Sequence, residues 1–191
     1  VGTRGVSVAN GATGALTDTL RAQISGGGAP FSTSGEAAAI AASQTDASSL
    51  QVGLDTSSAG SFAGSAALAF TSRNPEMADL ALAGATVQLR AQVNHLAVAA
   101  LQQVGGDGSF TAGLNGFTLQ FGAITQGSAA RVAQLSLGHA GPGGLSDALA
   151  GSFDLSALVP GDAFGVAGFN AFGGLAAGQA INLTVQLDSA M

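Results

Sequence analysis

The chain has 191 residues, enough for one or two domains, and combines 47% hydrophobic residues with 30 glycines and no Cys, Trp or Tyr. Its basic residues are five arginines, and the net charge of −6 argues against nucleic acid or an anionic membrane surface as a partner, because both need clustered basic residues. The absence of cysteine excludes a disulfide framework and a thiolate metal site. The residues after Val1 do not form a signal peptide, as expected of a mature or internal fragment, and no segment reads as a transmembrane helix.

Alternating apolar and polar residues predict strands along the whole chain. The clearest alternation, at residues 85–93, continues over nine positions. Segments rich in Gly, such as 25–28 and 141–144, separate the strands as turns. Many short strands separated by turns predict an all-β sandwich. The predicted strands, in chain order, are residues 50–54, 62–70, 85–93, 117–121, 131–137 and 181–187.

Two alanine-rich segments compete as helices. Residues 35–43 and 93–103 contain good helix formers, but no charged pairs at i,i+4 support a helix facing solvent. We therefore expect at most one or two short helical turns.

The sequence repeats itself. The segment from Leu16 to Leu20 (LTDTL) recurs 129 positions later from Leu145 to Leu149 (LSDAL), and residues 50–57 recur 133 positions later as residues 183–190. Two matches in the same order at nearly the same offset predict two copies of one domain. Leu16 and Leu145, and Leu54 and Leu187, should then superpose as buried pairs.

The two copies are out of phase with each other. Residues 117–126 precede the second copy without a counterpart in the first, whereas residues 59–96 have no counterpart after the second copy. We predict a first immunoglobulin-like antiparallel β-sandwich repeat at 1–98 that lacks its opening strand, a linker at 99–116, and a second, incomplete repeat at 117–191 that lacks its closing strands. Strands from outside 117–191 should complete the second repeat.

Several segments together resemble a known type of bacterial surface domain. They are "SVANGA" at 7–12, "LTDTL" at 16–20, "LQVGLDTSSAGSFAGSAALAF" at 50–70, and Phe121-Gly122. These segments are similar to the choice-of-anchor D type of bacterial domain. The resemblance implies an immunoglobulin-like sandwich on a secreted, surface-held protein, without catalytic residues.

No candidate residue pattern predicts a catalytic, cofactor or metal site, so the chain is expected not to be an enzyme. His95 and His139 lack the converging ligands that a metal site needs, and a structural role or exposure to solvent is expected for each. Asp107, with Asp154 and Asp162, is a weak calcium candidate beside the simpler interpretation as a turn.

Two further features have simple structural interpretations. Asp55 and Asp188 are predicted to accept backbone N–H groups in turns. The phenylalanines are expected in the core, although Phe164, Phe169 and Phe172 could form an exposed adhesive loop.

Composition and repeats favour a non-enzymatic structural or adhesive module, extracellular or at the cell surface. Its partners would be proteins, either copies of itself or neighbouring surface proteins. One alternative is a subunit of a filament or surface layer completed by strand exchange. A second is a ligand- or carbohydrate-binding module, which the lack of Trp and Tyr disfavours.

Overall fold

The protein is all-β. The computed structural model describes residues 2–14, 16–114, 116–158 and 163–189, and within these ranges it contains fifteen strands and no helix. The chain divides into two compact units, Val1–Val93 and Asn94–Met191. The prediction of an all-β protein is confirmed, and each of the six predicted strands coincides, to within a residue, with a strand or part of one.

The first unit is a sandwich of two antiparallel sheets. One sheet has the order β1-β5-β3 and the other has the order β4-β2-β6-β7. Its strands are β1 (Gly2–Ala9), β2 (Thr19–Gly27), β3 (Phe31–Ser34), β4 (Glu36–Ile40), β5 (Thr45–Leu54), β6 (Gly60–Arg73) and β7 (Leu80–Val93).

The core of the first unit lies between these sheets. Leu50, Val8 and Phe31 are buried on one sheet, and Ile24 and Leu68 are buried on the other. Alternate residues of each strand supply this core, because successive side chains of a strand point to opposite faces of the sheet. The alternation in the sequence therefore marks the core-facing side of β5 and β6.

The second unit contains three sheets. The largest has the order β13-β15-β11-β8, and two-stranded sheets form from β12 with β14 and from β10 with β9. Its strands are β8 (Ala99–Gly106), β9 (Ser109–Gly113), β10 (Gly116–Gln120), β11 (Arg131–His139), β12 (Leu149–Gly151), β13 (Phe164–Ala167), β14 (Phe172–Leu175) and β15 (Ala180–Leu187).

One sequence prediction was wrong in this region. Residues 99–116 are not a linker, because β8 pairs with β11 along seven residue pairs and β9 pairs with β10. The alanine-rich segments 35–43 and 93–103 contain β4 and most of β8 and no helix, which is within the limit of one or two short helical turns that the sequence predicted. Alanine fits these strands because a small side chain packs closely, as Ala37 does in the core.

The order of strands in the first unit differs from that of a constant-type immunoglobulin domain. There, the first strand pairs with the second, whereas here β1 pairs with β5 and β2 pairs with β4 and β6. The immunoglobulin-like detail of the prediction therefore gains no support from the sheet order.

The repeat found in the sequence is reproduced by the pairing of strands. Gly2 lies opposite Leu54 in the β1–β5 ladder, and Arg131 lies opposite Leu187 in the β11–β15 ladder, so both ladders keep the offsets of 129 and 133 positions. Phe31 opposite Leu54 is matched in the same way by Phe164 opposite Leu187. Strands β11 to β15 thus correspond in order to β1 to β5.

The predicted buried leucine pairs are only partly found. Leu54 and Leu187 occupy equivalent positions but are half-buried, and Leu145 is also half-buried. Leu16 is fully exposed. It precedes β2 by three residues, outside the paired region, so the sandwich does not cover it.

An ion pair joins β2 and β4 at the surface of the first unit. The Arg21 guanidinium donates to Glu36 from Nε at 2.5 Å and from Nη2 at 2.9 Å, and Gln23 donates to the same carboxylate at 2.8 Å. These hydrogen bonds, above all those from Arg21, lower the pKa of Glu36 to about 2.

The folded-state pKa of Glu36 lies below its ordinary value of about 4.3. The ionised Glu36 carboxylate should therefore stabilise the first unit fully at pH values above about 4.3. This stabilisation should decline as the pH falls toward 2. NMR titration of the Glu36 carboxyl measures this directly. Arg21→Gln should raise the pKa toward the ordinary value, and an unchanged pKa in that variant would contradict the assignment.

Candidate functional site

The candidate site is the outer edge of β1, which is the end strand of its sheet in the described part of the chain. Its counterpart β11 lies between β15 and β8 and so has no free edge. The equivalent residues of the two strands differ in burial accordingly. Arg4 is exposed and Val6 is half-buried, whereas their counterparts Ala133 and Leu135 are 0% and 4% exposed.

A cleft of about 440 Å³ lies beside this edge. It opens between β1 and β7, the end strands of the two facing sheets, and Val6, Val52, Val87 and Leu89 line it with other residues of the same strands. Most of its lining is apolar, and it borders the core of the unit. We refer to this feature as the β1–β7 cleft.

Arg4 brings positive charge to the cleft. It lies opposite Val52 on β5, which packs against the core, so the Arg4 side chain leaves from the core-facing side of β1. Arg90 also lines the cleft. The cleft can therefore receive an apolar group and, at its rim, an acceptor of hydrogen bonds.

A second open place lies in the second unit, beside β12. In the first unit, β2 pairs on one side with β4 and on the other with β6. Of the described residues in the second unit, β12 has only β14 as a partner, and no strand takes the place of β6.

The missing cover is visible at one phenylalanine. Phe31 is 8% exposed, and a Cβ atom placed on Gly64 of β6 would lie 3.0 Å from its ring, so the ring packs directly on that backbone. Its counterpart Phe164 is 47% exposed. Each unit thus leaves uncovered a position whose counterpart within the other unit is covered.

Three other phenylalanines form a cluster around β12 and β14. The ring of Phe153 lies edge-on to Phe169 at 4.9 Å and tilted to Phe172 at 6.0 Å. All three are half-buried. The sequence suggested either burial in a core or an exposed loop. These three side chains are neither fully buried nor fully exposed to solvent.

The chain matches no family model, no curated protein and no solved structure. Its functional interpretation therefore depends on its own residues and on the comparison of its two units.

His139 has a structural role. Its Nε2 lies 2.7 Å from the carbonyl oxygen of Asp147, and its Nδ1 accepts the Gly141 N–H at 2.9 Å. Because Nδ1 accepts, Nε2 carries the proton and donates. The prediction of a structural role for this buried imidazole agrees with these contacts.

Asn10 occupies the equivalent position in the first unit, 129 residues earlier. Its Nδ2 donates to the carbonyl of Asp18 at 3.1 Å, and its Oδ1 accepts the Ala12 N–H at 3.1 Å. These are the same two contacts, at the same spacings of eight and two residues, as those of His139. An amide and an imidazole therefore fill one polar position in the two repeats.

The other histidine lies at the surface and is held by its backbone. His95 is exposed, and its N–H donates to the carbonyl of Leu145 at 2.6 Å while its own carbonyl accepts the Asp147 N–H. Sequence reasoning gave no signal for this pairing.

Asp107 and Asp154, the two candidate calcium ligands in the described part of the chain, each have a partner of their own. The Asp107 carboxylate accepts the Val132 N–H at 2.9 Å and lies 3.2 Å from Arg131, so it joins the end of β8 to β11. The hydrogen bond from Val132 is the main cause that lowers the Asp107 pKa. Asp154 accepts the Ser156 N–H in a turn, and Asp162 lies outside the described residues. No group of three potential metal ligands occurs among the described residues.

The paired aspartates end equivalent strands. The backbone N–H of Asp55 donates to Pro30, and that of Asp188 donates to Ala163, which lies 133 positions after Pro30. The Asp55 carboxylate accepts the Ser57 N–H at 2.9 Å, as the turn prediction requires.

In the described residues, no helix is of a length and apolarity that would cross a bilayer.

Proposed function

We propose that this protein is a non-enzymatic structural module, extracellular or at the cell surface, that joins its neighbours through open sheet edges. The observation that supports this best is the complementary exposure of the two repeats. Among the described residues, β8 pairs with the edge of β11 whereas no strand pairs with the corresponding edge of β1, and Phe31 packs on β6 whereas Phe164, tilted to Phe121, is 47% exposed.

Two further observations agree with a structural role. The buried imidazole of His139 uses both ring nitrogens in contacts to the backbone, which leaves neither for general acid–base chemistry. The sequence resemblance to choice-of-anchor D domains favours a surface location, because such domains are held outside the cell.

Labelling of intact producing cells with an antibody raised against this chain tests the location. We expect labelling without permeabilisation. Labelling that requires permeabilised cells would contradict a surface module, and a cytoplasmic protein of the same cells serves as the control for intact membranes.

A self-assembling subunit is the second candidate function, and the open edge of β1 favours it. Exposed edge N–H and C=O groups pair readily with another strand, and a contact between unlike surfaces propagates as an open chain. We expect the purified chain to associate with rising micromolar concentration in sedimentation analysis, and high salt to weaken the association little. A monomer at every concentration would exclude this candidate.

A further inference from the structure

We propose that the β1 edge and the β1–β7 cleft form an acceptor site for one extended segment of a second polypeptide with the sequence pattern of β8. The inference rests on the proposed structural function and adds to it a partner and a register. The bound segment would lie antiparallel beside β1, as β8 lies beside β11.

The register follows from the repeat. On β11, Leu137 lies opposite Leu101 of β8, Leu135 opposite Gln103, and Ala133 opposite Gly106. The residues of β1 that correspond to these three β11 positions are Val8, Val6 and Arg4, in that order. A β8-like segment would therefore place its leucine opposite Val8 and its glutamine opposite Val6.

The burial on β8 shows which side of such a segment enters the cleft. Leu101 and Gln103 are half-buried, whereas Gln102 and Val104, between and after them, are exposed. Leu101 and Gln103 lie opposite core-facing residues of β11 and therefore point to the same side of the sheet. In the first unit, this side faces the β1–β7 cleft, whose 440 Å³ suits a few side chains.

A glycine requirement makes the site selective. Arg4 corresponds to the buried Ala133, which lies opposite Gly106, a residue with φ of +81°. A Cβ atom on Gly106 would clash with the backbone carbonyl of Val132, whose counterpart on β1 is Thr3, so the incoming segment needs a glycine at this place. The partner is thus a segment like AALQQVGGD, with a leucine and a glutamine on the cleft side, a Gly-Gly step near its end and an aspartate after that step.

The aspartate after this Gly-Gly step has a partner as well. Asp107 accepts the backbone N–H of Val132, whose counterpart on β1 is Thr3. An aspartate at the end of the incoming segment would accept the Thr3 N–H in the same way, near the positive charge of Arg4. Main-chain pairing gives such complexes their affinity, and side-chain pockets give them specificity.

Cross-linking in the full-length chain tests the register, because the chain has no cysteine of its own. The probe is a synthetic peptide of residues 98–108. Gln102 corresponds in register to Ser7, and Ala100 corresponds to Ala9, and both β1 residues are exposed. The chain variants are Ser7→Cys and Ala9→Cys, and the peptide variants are Gln102→Cys and Ala100→Cys.

We expect the matched pairs, Ser7→Cys with Gln102→Cys and Ala9→Cys with Ala100→Cys, to cross-link roughly tenfold faster than the crossed pairs. Directly opposed Cβ atoms lie about 5 Å apart, whereas diagonal neighbours lie about 7–8 Å apart, which is beyond the reach of a disulfide. A peptide with Gly106→Val should bind at least several-fold more weakly by fluorescence anisotropy, because valine disfavours the positive φ of this residue and its Cβ would clash with the backbone of β1.

Three results would overturn the inference: equal rates in matched and crossed pairs, no saturable peptide binding, or disulfide-linked dimers of Ser7→Cys chains that form despite excess peptide. The last would mean that the β1 edge pairs with a second copy instead. None of these results concerns the surface location, so antibody labelling of intact cells separates a failure of this site from a failure of the proposed function.

Discussion

Phe31→Ala is expected to lower the unfolding free energy of the first unit by about 3–5 kcal/mol, the usual cost of removing a buried aromatic side chain. The ring is almost fully buried against the backbone of β6 at Gly64. The equivalent change in the second unit, Phe164→Ala, should cost only about 1 kcal/mol, because nearly half of that side chain already contacts solvent.

The two variants control for each other, since both remove the same side chain from the same register position of a repeat. Denaturant unfolding followed by circular dichroism gives the total loss, and hydrogen exchange with mass spectrometry assigns it to a unit. Equal losses in the two variants would show that Phe164 is covered in solution, and the open face of the second unit would then be wrong.

His139→Ala is expected to destabilise the second unit by about 2–4 kcal/mol. The substitution removes the acceptor of the Gly141 N–H and the donor to the Asp147 carbonyl, and each buried polar group left without a partner costs about 1–3 kcal/mol. His139→Asn should retain most of the stability, because Asn10 makes the same two contacts in the first unit.

Asn10→Ala provides the control in the first unit and should destabilise it by at least as much, because Asn10 Nδ2 also donates to the Ile40 carbonyl at 3.0 Å. Hydrogen exchange resolved by unit measures both effects. If His139→Asn were as destabilising as His139→Ala, the amide and the imidazole would not be interchangeable, and the equivalence of the two positions would fail.

Sequence reasoning found the strands in which large apolar residues alternate with polar ones. Parts of β5, β7 and β15 alternate apolar with polar residues, as in Leu50, Val52 and Leu54 of β5, and burial of one face imposes that spacing. It missed nine strands, β1 to β4, β8, β9 and β12 to β14, which are short or rich in Ala, Ser, Gly and Thr. Small residues carry little periodic signal, and alanine favours helices when its tertiary surroundings are ignored.

The offset between the two repeats could be predicted from the sequence, but not how many residues of the two repeats are equivalent. Residues 16–20 and 50–57 were enough to find it, because the second of these segments lies at the centre of a sheet. Equivalences such as Asn10 with His139 share no side-chain chemistry in sequence. They become apparent only when both residues are seen to contact the same backbone groups.

The sequence predicted the candidate site only in part: it indicated that the first copy lacks a strand, but not which sheet edge is left without a partner. A sheet edge is open when no strand pairs with it, so predicting one requires knowing which strands pair. Sequence patterns do not show this, because pairing partners such as β8 and β11 lie some 30 residues apart in the chain. The sequence did indicate that the copies were out of phase, yet it assigned residues 99–116 to a linker. The strand that reveals how β1 could be covered lies within that segment.

The guanidinium of Arg4 also bears on the solubility of this chain. An inward-pointing charge on an end strand is one of the devices by which natural sheets avoid indiscriminate aggregation. The corresponding residue of the shielded strand, Ala133, needs no such protection. In a chain with no lysine and few charges, the Arg4 charge disfavours pairing of the β1 edge with an exposed apolar strand edge of another molecule.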